Sequence, residues 1–279
     1  KISIVTPSYN QGQFIEETIR SVLLQGYPNL EYIVMDGGST DESVEIIQKY
    51  EPWIDYWVSE EDEGQSDAIN KGFEKCTGDW GGWINSDDFL AKQALQVIGK
   101  KTPDKVVSGA CTIGLPDDES SVVQKGEIYT VHDILNIVYK WRAGGYIPQP
   151  STFFPVQVFI EVGGLDKNEE YVMDYDLWCR LIAKIDIEYT NTVLAHFRTH
   201  DQQKTNNFDR VTEELISCAV RNIRRLDLPP KDTEELIDRA ANYDKYMYEK
   251  TGRLARSPLP KSWVVTIRKL TSLIRGQNT

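Results

Sequence analysis

Long apolar runs are missing from this 279-residue chain. No stretch approaches the roughly 20 consecutive apolar residues that a membrane-spanning helix needs, and no signal peptide is visible, so the expected setting is cytoplasmic. Cysteine is scarce. Cys76, Cys111, Cys179 and Cys218 are scattered without C-x-x-C spacing, which favours free thiols over a disulfide framework or zinc site. Histidine is scarcer still: His132, His196 and His200 lack the close paired spacing of zinc ligands. Positive charge is in deficit, with 31 Lys and Arg against 43 Asp and Glu and a net charge of −12. Sequence-independent nucleic-acid binding needs the opposite balance, so no nucleic-acid partner is expected. An anionic ligand would need a local remedy, such as a metal ion or a helix N-terminus.

What the chain does contain is alternation. β-branched or aromatic runs at Ile2 to Thr6, Tyr32 to Met35, Asp55 to Ser59 and Trp80 to Asn85 read as strands. Helical patterns lie between them, one carrying Phe14, Ile15, Ile19, Val22 and Leu23, the next capped by Ser39 or Thr40, and a third over Ser66 to Lys75. Such alternation implies a mostly parallel sheet with helices on its faces. Ligands bind beyond the carboxyl ends of such strands. Each predicted strand here ends in a polar cluster: Thr6-Pro7-Ser8-Tyr9-Asn10, Asp36, Glu60 to Gly64, and Asn85 to Asp88. The middle third predicts antiparallel strands in "KVVSGACTIG" and "SSVVQKGEIYTV", a helix in "VMDYDLWCRLIAKI" and a strand in "NTVLAHFRTH". From Phe208 onward the pattern is helical, interrupted at Pro229-Pro230, Pro258 and Pro260.

The adjacent pair Asp87-Asp88 reads either as a capping turn or as ligands for Mg²⁺ or Mn²⁺, which favour carboxylate oxygens. Asp36 is either a turn residue or the acceptor for a nucleobase ring N–H. Asp174 and Asp176 open an apolar helix, where acids suit the helix dipole, and Asp174 is also placed to be a general base. His200, with Arg198 and Lys204 beside it, forms a basic patch suited to a diphosphate or its metal complex.

The stretches "VTPSYNQGQFIEETIRSVLLQGYPNLEYIVMDGGSTDES", "SEEDEGQSDAINKG", "WINSDDFL", "VGGLDKNEEYVMDYDLWCRL" and "FRTHDQQKT", in that order, resemble family 2 glycosyltransferases. The resemblance spans roughly residues 1–205 and implies a GT-A fold: α/β, Rossmann-like, with a mostly parallel central sheet flanked by helices. Residues 1–100 would form the nucleotide-binding half and 101–205 the acceptor-binding half, followed by a helical C-terminal extension over 206–279. It further implies that Thr6, Pro7, Ser8, Tyr9 and Ser86 line the nucleotide pocket and that Asp36 bonds the base, commonly uracil. Asp67 and Lys71 would lie along the ribose and diphosphate. The family's D-x-D motif matches Asn85-Ser86-Asp87, which makes Asp87 the metal ligand, with Asp88 either helping it or only capping the following helix. Its Glu-Asp pair matches Met173-Asp174, which makes Asp174 the base. His200 would complete the metal site, and Arg198 and Lys204 would meet the diphosphate. Two of the family's acids are thus replaced, by Asn85 and Met173. The activity implied is metal-dependent, inverting transfer from a nucleotide-sugar, a UDP-sugar by preference, to a glycan or lipid-linked acceptor.

Glycosidases also use paired carboxylates but need no nucleotide pocket. Nucleotidyltransferases usually carry a basic Gly-rich loop, and "PSYNQG" lacks Lys and Arg. A non-catalytic nucleotide-sugar-binding subunit is the remaining rival, because of Asn85 and Met173. The segment Gly252 to Thr279 carries Arg253, Arg256, Lys261, Arg268, Lys269 and Arg275 and no acid. Trp263, Ile267, Leu270 and Ile274 share one helical face there. This predicts a terminal helix that docks on the acidic body or meets the inner face of a membrane.

Overall fold

A computed structural model describes residues 1–114 and 121–254. The basic terminal segment with Trp263 therefore lies outside the described residues, apart from its first turn. The first half is built as the alternation predicts: β1 (Ile2–Ser8), α1 (Gly12–Leu23), β2 (Leu30–Asp36), α2 (Ser43–Tyr50), β3 (Tyr56–Ser59), α3 (Gln65–Phe73) and β4 (Trp80–Trp83). The strands run parallel in the order β3-β2-β1-β4. β1 is buried at every position, as a strand covered by helices on both faces must be.

α2 starts later than its expected cap. Ser39 does not cap it. Its N–H and hydroxyl instead donate to Asp36, at 2.9 and 2.6 Å. The start of α2 and the loop before it serve their neighbour: Asp41 and Ser43 accept the N–H groups of Gly12 and Gln11 that open α1. Those orphan donors would otherwise lack partners.

Beyond β4 the order is β5 (Phe89–Leu90), α4 (Ala94–Ile98), β6 (Val106–Ile113), β7 (Val122–Gln124), α5 (Val131–Leu135), β8 (Thr152–Pro155), α6 (Val156–Glu161), α7 (Met173–Ile182) and β9 (Ile187–Phe197). The sheet continues through β8, β6, β9 and β5, with β7 beside β6. β4–β8, β6–β8, β6–β7 and β5–β9 are antiparallel, and β6–β9 is parallel. The expected mostly parallel character holds throughout β3-β2-β1-β4 and recurs in the long β6–β9 pair. β9 begins before the run that predicted it, and β5, two residues long, is too short to be read from a pattern.

Glycine permits the tight layering of α3 on β1 and β4. A Cβ on Gly81 would sit 2.7 Å from the Phe73 ring, and one on Gly72 would sit 2.5 Å from Val5. One face of the sheet packs on α1, α2 and α4 through Ile15, Ile19, Ile47 and Leu95. The other packs on α3, α6 and α7 through Phe73, Phe159 and Leu177. The helices α8 (Phe208–Arg225), α9 (Pro230–Ala241) and α10 (Tyr243–Leu254) join that second core, with Leu215, Cys218, Ile223 and Leu236 buried in it.

Candidate active site

The carboxyl ends of β1, β2 and β4 open into a cleft of about 1090 Å³. Pro7, Ser8 and Tyr9 line it from the end of β1, Gly37 and Gly38 from the end of β2, and Asn85, Ser86 and Asp87 from the end of β4. Asp174, in the first turn of α7, lines the same cleft, as does Lys204. Residues far apart in sequence thus converge as the strand-end argument requires.

Asp87 and His200 meet directly. Nε2 of His200 lies 3.1 Å from Oδ2 of Asp87, and the imidazole packs 4.7 Å from the Phe14 ring. Asn85 takes no part in that pair. Its Oδ1 accepts from Gln65 at 2.8 Å and its Nδ2 donates to Gln149 at 3.2 Å. The Gln149 amide is oriented in turn by donating to the Trp83 carbonyl. Met173 is likewise absorbed into packing: it is buried, and its sulfur accepts the Ser66 hydroxyl at 2.9 Å.

Asp174 is half-buried, with Oδ1 accepting the N–H of Tyr175 at 2.7 Å. Desolvation raises its pKa to about 6 from an ordinary 3.8, and backbone hydrogen bonds oppose the shift.

Two indoles connect the two acids. Trp83 ends β4, four positions before Asp87, and Trp178 lies one helical turn after Asp174. Their rings stack at 5.6 Å with 18° between planes, fully buried. An aromatic pair of this kind adds about 0.5–1.5 kcal/mol beyond its area burial, and here it ties β4 to α7.

Two expectations need correction. Asp88 does not face the cleft. It is 1% exposed, and Oδ1 accepts the Arg198 N–H at 3.0 Å. Burial first, and the Asp87 charge second, push its carboxyl well above the usual range. Both effects favour the protonated form of Asp88, which eases the repulsion between the adjacent acids. Arg198 is also not among the residues that line the cleft. Its guanidinium pairs with Glu17 and sits 4.7 and 5.3 Å from the Phe14 and Phe89 rings.

Three other sites reach the cleft only indirectly. Thr6 is fully buried and accepts the Tyr32 hydroxyl at 3.1 Å. Asp36 is buried, accepting from Ser39 and from Ser59, although Oδ1 has acceptor capacity to spare. Asp67 and Lys71 pair at 2.7 Å in a smaller adjoining cavity, where Lys167 also reaches Asp67. Lys167, Gln65 and Gln149 were not singled out from sequence, because isolated polar residues in loops carry no periodic signal.

The model of glycosyl transferase family 2 matches residues 3–137. An uncharacterised glycosyltransferase of Rickettsia prowazekii is 30% identical over 219 residues, which are 76% of this chain and 68% of that relative. The chain belongs to glycosyl transferase family 2. S. aureus TarS 1-349, in complex with UDP-GlcNAc, superposes with a TM-score of 0.68 at 15% identity, over 97% of this chain and 80% of that one. The mannosyltransferase PcManGT of Pyrobaculum calidifontis, in complex with GDP-Man and Mn²⁺, gives 0.63 at 16% identity, over 98% and 80%. At these identities the likeness is one of fold, and the fold is GT-A. This glycosyltransferase is accordingly a transferase enzyme. Among the described residues no helix is long and apolar enough to cross a membrane.

The residues present fit a divalent cation. Among the described residues no cluster of three His, Cys, Asp or Glu side chains is placed to hold a metal. Hard cations such as Mg²⁺, however, commonly take only one or two carboxylates and complete their shell with phosphate oxygens and water. Asp87, which lines the cleft, and His200, in contact with it, supply such a partial donor set in this glycosyltransferase.

Proposed function

We propose that this glycosyltransferase inverts the anomeric centre as it moves a sugar from a UDP-sugar to a hydroxyl of a glycan or lipid-linked acceptor. The observation that carries this reading is the convergence of Asp87 and Asp174 on one cleft, with His200 in contact with Asp87. The folds of proteins solved with UDP-GlcNAc and with GDP-Man and Mn²⁺ support it.

In this reading Tyr9, Gly37 and Gly38 border the base. Asp36 offers its uncommitted Oδ1 capacity to the uracil ring N–H. Asp67 and Lys71 flank the ribose, and Lys204 meets the diphosphate. Asp87 and His200 would hold Mn²⁺ or Mg²⁺, which supplies charge neutralisation for the leaving diphosphate. Asp174 accepts the proton of the acceptor hydroxyl. A base with pKa about 6 is ionised at pH 7.5 yet more basic than an ordinary carboxylate, as general-base catalysis favours. One base and one displacement imply inversion.

The test is a panel of UDP-, GDP- and dTDP-sugars incubated with purified protein and Mn²⁺, scored by nucleotide release. The expected result is UDP release that chelation abolishes, with the product anomer inverted by NMR. Preference for a guanosine donor would overturn the base assignment. Retention of configuration would overturn the mechanism.

A further inference from the structure

The wall behind Asp174 is built by a helix beyond the family match, which ends at residue 137. α8 touches α7 and the chain leading into it at three places. Oε1 of Glu214 accepts the N–H groups of Tyr171 and Val172, at 2.7 and 3.1 Å. Arg221 pairs with Glu169. Nδ2 of Asn222 donates to Asp176 at 2.9 Å. Positions 214, 221 and 222 are spaced i, i+7, i+8, so they share one face of the helix. The buried Leu215, Cys218 and Ala219 pack along the same side.

Glu214 is the rung nearest the chemistry. Val172 is the residue that precedes α7, and Asp174 follows two positions later. α7 has no side-chain cap of its own, so its entry is fixed from outside. One carboxylate oxygen on two successive peptide N–H groups is a directional, charge-assisted clamp. Among the described residues no cation forms a salt bridge with Glu214, so its charge is directed at the backbone.

We infer that Glu214 is a positioning residue for this glycosyltransferase, holding the backbone at 171 and 172 so that Asp174 is presented to the acceptor hydroxyl. This rests on Asp174 being the base. A displacement of about 1 Å in a reacting group can lower turnover about a hundredfold, so the clamp is visible in rate.

The experiment uses the full chain with Glu214→Ala, Glu214→Gln and Glu214→Asp. Gln keeps the accepting oxygen. Asp keeps the charge but draws the oxygen back by one methylene, and it serves if the Ala variant folds poorly. Amide hydrogen exchange over residues 171–175 is read first, because it needs no substrate. At least tenfold faster exchange is expected in Ala and Asp, with near-native exchange in Gln. UDP hydrolytic release from the best donor of the panel should fall at least tenfold in Ala and Asp. It should stay within about threefold in Gln, with UDP affinity unchanged within twofold throughout. Unchanged exchange in both Ala and Asp, Gln as impaired as Ala, or a matching loss of UDP affinity would each overturn the inference. If Asp174→Asn turns over normally while the exchange result holds, the base assignment fails and the clamp does not.

Discussion

Replacing Asp174 by Asn should remove activity and add stability. Asn is close in shape, and its Oδ1 can still accept the Tyr175 N–H that now reaches Asp174 at 2.7 Å. What is lost is the ability to take a proton. General-base catalysis is worth about 10²–10⁴-fold, so turnover should fall by at least about a hundredfold while UDP still binds.

The stability change comes from linkage. Desolvation raises the Asp174 pKa from 3.8 to about 6, so between those pH values the native state binds more protons than the unfolded chain. Stability therefore falls as pH rises through that window, and the loss is complete above it. The full shift corresponds to about 3 kcal/mol. Solvent at the open edge of the cleft trims this to about 1–3 kcal/mol. Asn carries no such cost, so the variant should melt several degrees higher than wild type at pH 7.5. The difference should vanish toward pH 4. Calorimetry across pH 4–8 and the rate of UDP release are the two assays. Near-normal turnover, or a melting difference independent of pH, would refute the reasoning.

Other outcomes follow from the same geometry. Wild-type turnover should lose activity on the acid side with an apparent pKa near 6, read from a pH–rate profile in the presence of Mn²⁺. His200→Ala should raise the Mn²⁺ concentration for half-maximal rate at least about tenfold, and Asp87→Ala should lose the metal response altogether, because the pair loses one or the other member. Asn85→Asp should not improve the enzyme: it sets a carboxylate oxygen against the Gln149 oxygen, which is held in place by the Trp83 carbonyl. We expect a cost of about 1–3 kcal/mol by denaturant titration. Gly72→Ala should destabilise by about 1–3 kcal/mol, since its Cβ would lie 2.5 Å from Val5.

The sheet and the shared cleft were legible because hydrophobic period and strand-end chemistry act over short stretches. Asp87 and His200 were placed together by the family resemblance, and the structure brings their side chains into contact. The facing of single residues was not legible. Nothing in "NSDD" says that Asp87 turns outward and Asp88 inward; that is decided by Arg198, whose N–H reaches Asp88. Arg198 itself read as part of a basic patch because its partner Glu17 lies 181 positions away. Glu214 was invisible for a related reason: an acid on a charged helix looks like solvated surface until the loop it clamps is seen.

The stacked Trp83 and Trp178 have a practical consequence. Two parallel indoles at 5.6 Å are close enough for their electronic transitions to couple. Circular dichroism should therefore carry a signature of the distance between β4 and α7. Donor binding that shifts either element would alter that signal without an added label. The enzyme thus has its own optical gauge of whether its two acids remain in register.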